Sequence, residues 1–219
     1  MRIAGYDIQP IVLHLPDDIK YVKQSEDMKN RLHEAGIDDA MFVSGIHAEK
    51  FGILGVHPYT LDNPNASHYI GQKYVGSFLS QYVVYNVMKA LPNEYYLFFE
   101  PDAVLPDNFL RKLEFEMFNL PPDFDFLFIE SCCAMDKPME HIGGNVYKFK
   151  KNRGYPSKYP CGGACYIISK KCLEHVIATQ RDTYAPADLS LGMHSFYAMD
   201  VYAILPRLVQ QKGNENLPH

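Results

Sequence analysis

The chain has 219 residues, 47% of them hydrophobic and 13% aromatic. That is enough for a single domain over 1–219 with a large core, and it excludes an intrinsically disordered chain. The net charge of -5 gives no global basic field, so non-specific nucleic-acid binding is not the starting expectation. No apolar stretch approaches the roughly 18 residues needed to cross a bilayer, and no basic start precedes a long apolar run. The protein is therefore expected to be cytoplasmic, with no membrane span. Five cysteines, at 132, 133, 161, 165 and 172, lack the spacing of a zinc site and read as reduced, mostly buried thiols.

In chain order, Pro10 to Leu15 reads as a buried strand. Ser25 offers an N-cap, Glu26 and Asp27 sit in the first turn, and Gly36 stops the helix. Ala40 to Ser44 is a second short strand, and 45–67 dissolves into Gly, Pro, Asn and His. Helical spacing returns from Gly76 to Leu91, with Phe78, Leu79, Tyr82, Val83, Val87 and Leu91 on one broad face. Tyr95 to Phe99 is a continuous apolar run of strand length, expected at the centre of a sheet. A helix from Asp107 to about Asn119 follows, capped by Asp107 or Asn108. Phe124 to Ile129 is another strand, and Asn145 to Phe149 an edge strand. Cys161 to Ser169 opens on paired glycines and becomes a strand, with Ser169 capping a helix over Lys170 to Thr179. A short helix over Asp188 to Tyr197, a last strand over Val201 to Leu205 and a frayed polar end complete the reading. This alternation argues for an α/β sandwich with a mainly parallel central sheet.

In such sheets, ligands bind outside the carboxyl ends of the strands. Glu100-Pro101-Asp102 stands there, directly after the most apolar strand. Two carboxylates two residues apart in a turn make a hard oxygen site for Mg2+ or Mn2+, which a diphosphate leaving group requires. The plainer reading is a solvated acidic turn. An aspartyl nucleophile for phosphoryl transfer is disfavoured, because the first carboxylate is Glu100 and Asp102 is followed by Ala103-Val104. Lys148, Lys150, Lys151, Arg153 and Lys158 are interleaved with Phe149, Tyr155 and Tyr159. This stretch is either a solvated loop or an acceptor-binding loop, for which Lys150, Lys151 and Arg153 are the candidates.

Several segments occur in a recognisable order. They are Leu13-His14-Leu15, a helix ending in Gly36-Ile37, and Gly76-Ser77-Phe78-Leu79-Ser80-Gln81. Phe99-Glu100-Pro101-Asp102-Ala103-Val104, Pro122-Asp123-Phe124-Asp125-Phe126 and Gly162 to Ser169 follow, then Pro186-Ala187-Asp188 and Pro206 to Gln210. Together they resemble glycosyltransferase family 25, the lipopolysaccharide and collagen galactosyltransferases. The chain departs from the family where Pro101 replaces the middle acid and Gln81 replaces a His, and where basic residues after the first strand are thin.

The resemblance implies a GT-A-like (Rossmann-like) nucleotide-sugar-binding fold, a UDP-sugar donor and inversion at the anomeric carbon. It places Leu13, His14 and Leu15 near the uracil or ribose, with Lys20, Glu100 and Asp102 in the donor site. It makes Asp188 the candidate base, with a helix N-cap as the alternative role. His194, six residues later, is a candidate third metal ligand beside Asp102 and Glu100, with a structural histidine as the plainer reading. Gly162 and Gly163 would let backbone approach the sugar or diphosphate, or form an ordinary bulge. The expected reaction is metal-dependent sugar transfer to a hydroxyl. The acceptor is a glycan or, as a lesser possibility, a hydroxylated base in DNA. The alternative is a catalytically degenerate module that binds a nucleotide-sugar or glycan.

Overall fold

The computed structural model describes residues 1–16, 19–47, 49–50, 52, 72–131, 139–150, 162–180, 187, 191 and 195–213. Strand β1 (Arg2–Ile3) and strand β2 (Tyr6–His14) form a tight antiparallel hairpin. Its two turn residues, Ala4 and Gly5, both have positive φ, at 50° and 88°, matching the right-handed twist of the flanking strands. β2 is flanked by two parallel strands, β3 (Met41–Ser44) and β4 (Tyr95–Phe99). After β4 come the short strand β5 (Ala103–Val104), β6 (Phe126–Phe128), β7 (Met139–Gly143) and β8 (Val146–Phe149). β9 (Cys165–Ser169), β10 (Val201–Ile204) and β11 (Gln210–Gln211) complete the strands.

Beyond β4 the main sheet continues through β9, β6, β10 and β8 to β7, making nine strands among the described residues. The pairs β2–β3, β2–β4 and β6–β10 are parallel, whereas β1–β2, β4–β9, β6–β9, β8–β10 and β7–β8 are antiparallel. The α/β class holds, but the sheet is mixed rather than mainly parallel. A run such as Cys165-Tyr166-Ile167-Ile168 reports burial, not direction, so sequence pattern could not reveal that β9 runs against its neighbours.

Among the described residues, the helices α1 (Ile19–Glu34), α2 (Gln72–Ala90), α3 (Phe109–Met117) and α4 (Lys170–Gln180) cover the two faces. Alternate strand residues divide between the faces, as the two-residue period of a strand requires. Val12, Leu97, Leu127, Ile167 and Tyr202 pack with Met28 and Leu32 of α1 and Leu113 of α3. Ile11, Phe98, Phe126, Tyr166 and Ala203 pack with Tyr85 and Met88 of α2 and Leu173 of α4. On this second face Tyr166 stacks between Phe98 and Phe126, with ring centroids 4.7 and 4.8 Å apart. Each such aromatic pair adds about 0.5–1.5 kcal/mol beyond area burial and ties β4, β9 and β6 into register.

Local expectations are mostly met, with shifts that have physical causes. α1 ends as expected at Gly36 (φ 80°), where Gly36 N–H returns to His33 O and Ile37 N–H to Leu32 O, a Schellman closure. It starts earlier than expected, because Ser25 lies inside the helix and turns its Oγ back to Tyr21 O at 2.8 Å. The buried stripe of α2 is Phe78, Gln81, Val84, Tyr85 and Met88, rotated from the predicted face. That rotation brings polar Gln81 inside, where Tyr85 Oη donates to its Oε1 at 3.1 Å. Asn108 precedes α3 with φ 57° and makes no side-chain cap bond. β8 is not an edge, since β7 covers it. Cys165 and Cys172 are buried free thiols, and the other three cysteines lie outside the described residues. Among the described residues, no helix is long and apolar enough to cross a membrane.

Candidate functional site

The carboxyl ends of β2, β3 and β4 open into a cleft of about 510 Å³. Leu13, His14 and Leu15 enter it from β2, and Glu100 and Asp102 from the turn after β4. Lys20 enters from the first turn of α1. These six predicted donor residues therefore share one cavity. The wall between β3 and α2 is sewn by Ser80, whose Oγ accepts from Ile46 N–H at 2.8 Å and donates to Gly76 O at 2.7 Å. Gly45 lies behind this wall with no room for a side chain. A Cβ there would sit 2.8 Å from both Leu13 Cδ1 and Ser80 Oγ. Gly45→Ala is expected to cost about 1–3 kcal/mol by overpacking. Urea unfolding measures this, and an unchanged midpoint would show that the wall yields.

The acidic turn is held from three directions. Glu100 N–H donates to Ala164 O at 2.8 Å, joining it to the start of β9. Arg31 of α1 donates from Nη2 to Pro101 O at 2.6 Å. The pairing of β5 with β11 brings Lys212 N–H to Asp102 O at 2.9 Å. The same strand carries Gln211, whose Nε2 donates to Glu100 Oε2 at 3.3 Å and to Asp102 Oδ2 at 3.2 Å. Two carboxylate oxygens thus converge on a single atom. Convergent hard oxygens fit Mg2+ or Mn2+. Among the described residues, no cluster of three or more His, Cys, Asp or Glu forms a fuller metal site.

His14 forms part of the cleft floor. Its Nε2 lies 3.3 Å from Ser44 Oγ, and its ring meets Phe42 edge-on. Burial lowers its pKa below the usual histidine value, which favours the neutral imidazole at pH 7. Beneath the floor, Tyr166 Oη donates to Tyr85 Oη at 3.2 Å, and Tyr85 in turn holds Gln81. Gln81 is engaged in this internal chain.

The remaining predicted residues are placed differently. Gly162 (φ 108°) and Gly163 precede β9 and adjoin the acidic turn through Ala164, but they do not line the cleft. Lys150 is not brought to the cleft. β10 runs parallel to β6, β6 and β4 both run against β9, and β8 runs against β10. β8 therefore ends, at Lys150, on the sheet edge opposite Glu100. Asp188, His194, Lys151 and Arg153 lie outside the described residues.

Two residues of this region escaped sequence reasoning. Glu130 ends the β6 run just as Glu100 ends that of β4, and this repeated apolar-then-Glu pattern was the available signal. It accepts from Ala164 N–H at 3.3 Å and pairs with Arg207 at 3.8 Å. Burial raises the Glu130 pKa, and the nearby Asp102 charge adds to the rise. Gln211 lies in a tail expected to fray. Its only signal was the neighbouring Pro206 to Gln210 segment.

No protein-family model matches the chain, and no curated protein matches it by sequence. The likeness to family 25 therefore rests on the quoted motifs alone. Among solved structures, a glycosyltransferase involved in the glycosylation of the major capsid of PBCV-1 superposes with a TM-score of 0.51 at 10% identity. The match covers 90% of this chain and 80% of that one. A UDP-glucose pyrophosphorylase complexed with UDP-glucose matches at a TM-score of 0.42 and 10% identity, over 92% and 73% of the two chains. That is too loose to carry an argument. At such identity the likeness is one of fold, a GT-A-like α/β frame.

Proposed function

We propose that this protein transfers a sugar from a UDP-sugar to an acceptor hydroxyl, using Mn2+ or Mg2+ held by Glu100 and Asp102. The observation that carries the reading is the convergence of those two carboxylates inside a cleft at the strand ends. Bound there, the ion offsets the charge that builds on the diphosphate as the glycosidic bond breaks. Leu13, Leu15 and neutral His14 offer a largely apolar wall for the uracil and ribose. Lys20, exposed at the mouth, faces the phosphates with positive charge. Asp188 is proposed as the base that takes the acceptor proton, from its Pro-x-Asp segment, and His194 as a third ligand to the ion. The favoured acceptor is a glycan, with a hydroxylated DNA base as the lesser candidate.

Incubating the purified chain with a panel of UDP-sugars and Mn2+ tests the reading. UDP release that depends on both the ion and an added acceptor is the expected result. A second reading, a binding module without turnover, is favoured by the Gln211 amide standing at the point where an ion would bind. It predicts donor binding with no UDP release. Absence of both binding and release would overturn both readings.

A further inference from the structure

We propose that Gln211 is a placeholder for the cation: its amide holds Glu100 and Asp102 together in the ion-free protein and leaves when a divalent ion binds. This rests on the reading that the acidic pair takes such an ion. Three observations carry it. The first is that one nitrogen, Gln211 Nε2, donates to an oxygen of each carboxylate, at 3.3 and 3.2 Å. The oxygens of the two acids are thereby kept on one point, although two like charges repel. The second is that Gln211 does not approach by chance. β11 pairs with β5 in the register Gln210↔Val104 and Gln211↔Ala103, so the backbone fixes the side chain's starting point directly over the acidic turn. The third is that Lys212 N–H locks onto Asp102 O at 2.9 Å, on the residue that carries one of the two oxygens.

An amide N–H and a metal ion cannot both take the same oxygen lone pairs at full strength. An N–H directed at an ion is repelled, so the amide must yield. A contact present only in the ion-free state stabilises that state and opposes ion binding, by linkage. Gln211 thus positions the carboxylates and also sets how tightly they hold the ion.

The test uses the whole chain, stripped of metal by chelation and titrated with Mn2+ alone, reading free Mn2+ by electron paramagnetic resonance. Wild type is expected to bind, and Asp102→Ala to lose that binding. Gln211→Met keeps the length of the side chain and the strand pairing but removes the donor. It is expected to bind Mn2+ at least tenfold tighter, the share of a single displaced hydrogen bond to a carboxylate. Ion-free Gln211→Met is expected to melt below ion-free wild type, with the two melting together once saturated with Mn2+. Gln210→Ala, on the same strand, is expected to leave the affinity unchanged. Affinity unchanged in Gln211→Met would overturn the placeholder role, and so would weaker affinity, which would make the amide carbonyl a ligand instead. Wild type that binds no Mn2+ would remove the ion site itself, and the placeholder with it.

Discussion

On the proposed function, Asp102→Ala is expected to lower kcat/KM for sugar transfer on the order of a thousandfold, because it removes a ligand of the ion that would offset charge on the leaving diphosphate. The fold should survive the change. Alanine keeps the backbone carbonyl that accepts from Lys212 N–H and loses the side-chain contact of Oδ2 with Gln211, and the side chain is partly buried. A small drop in melting temperature, with lost Mn2+ binding and lost transfer, is therefore the expected combination. Asp102→Asn separates charge from shape. The amide can still face Gln211, yet it cannot supply an anionic oxygen to the ion, so the loss should be nearly as large. Activity retained in either variant would move the catalytic centre away from the acidic turn.

Arg207→Met is expected to destabilise the protein by about 3–5 kcal/mol at neutral pH, through the carboxylate it leaves behind. The side chains of Arg207 and Glu130 are 0% and 2% exposed and lie 3.8 Å apart. Removing the guanidinium strands a buried carboxylate beside Asp102, whose charge already acts on it. The pH dependence follows from the raised Glu130 pKa. In the range above the ordinary value of 4.5, folded Glu130 holds its proton more firmly than the unfolded chain does, so stability falls as pH rises through that window. Without Arg207 the window widens upward. The deficit of the variant should therefore be smallest near pH 4.5 and grow toward pH 7. Glu130→Gln in the Arg207→Met background keeps an acceptor for Ala164 N–H and removes the charge, so it should restore most of the loss. Chemical unfolding at two pH values measures all of this. A pH-independent deficit would mean that lost packing, not the stranded charge, is responsible.

Much of the architecture was legible before any fold was known, where the signal is local. Tyr95 to Phe99 has the predicted bounds, because five buried apolar residues between turn formers admit little else. Gly36 ends α1 because a left-handed residue closes the Schellman turn. The acidic turn after β4 could be read as a site because the strand before it is apolar throughout, and apolar central strands end where clefts open. The shortfalls share one cause. The face of α2 was misjudged because Gln81 counts as polar by composition, yet it is satisfied inside by Tyr85. Lys150 was assigned to the acceptor by composition, whereas the path of β8 carries it to the other end of the sheet.

What the sequence by itself determined is the class, most of the elements and the two carboxylates, since each is set by neighbours a few residues apart. Only the tertiary structure decided the direction of β9, the buried pairing of Glu130 with Arg207, and the presence of Gln211 on Glu100 and Asp102 from 111 and 109 residues away. Hydrogen bonds and ion pairs across such separations leave no periodicity in the chain. They exist because strand pairing brings the residues together, and that pairing is settled by the packing of the whole sheet.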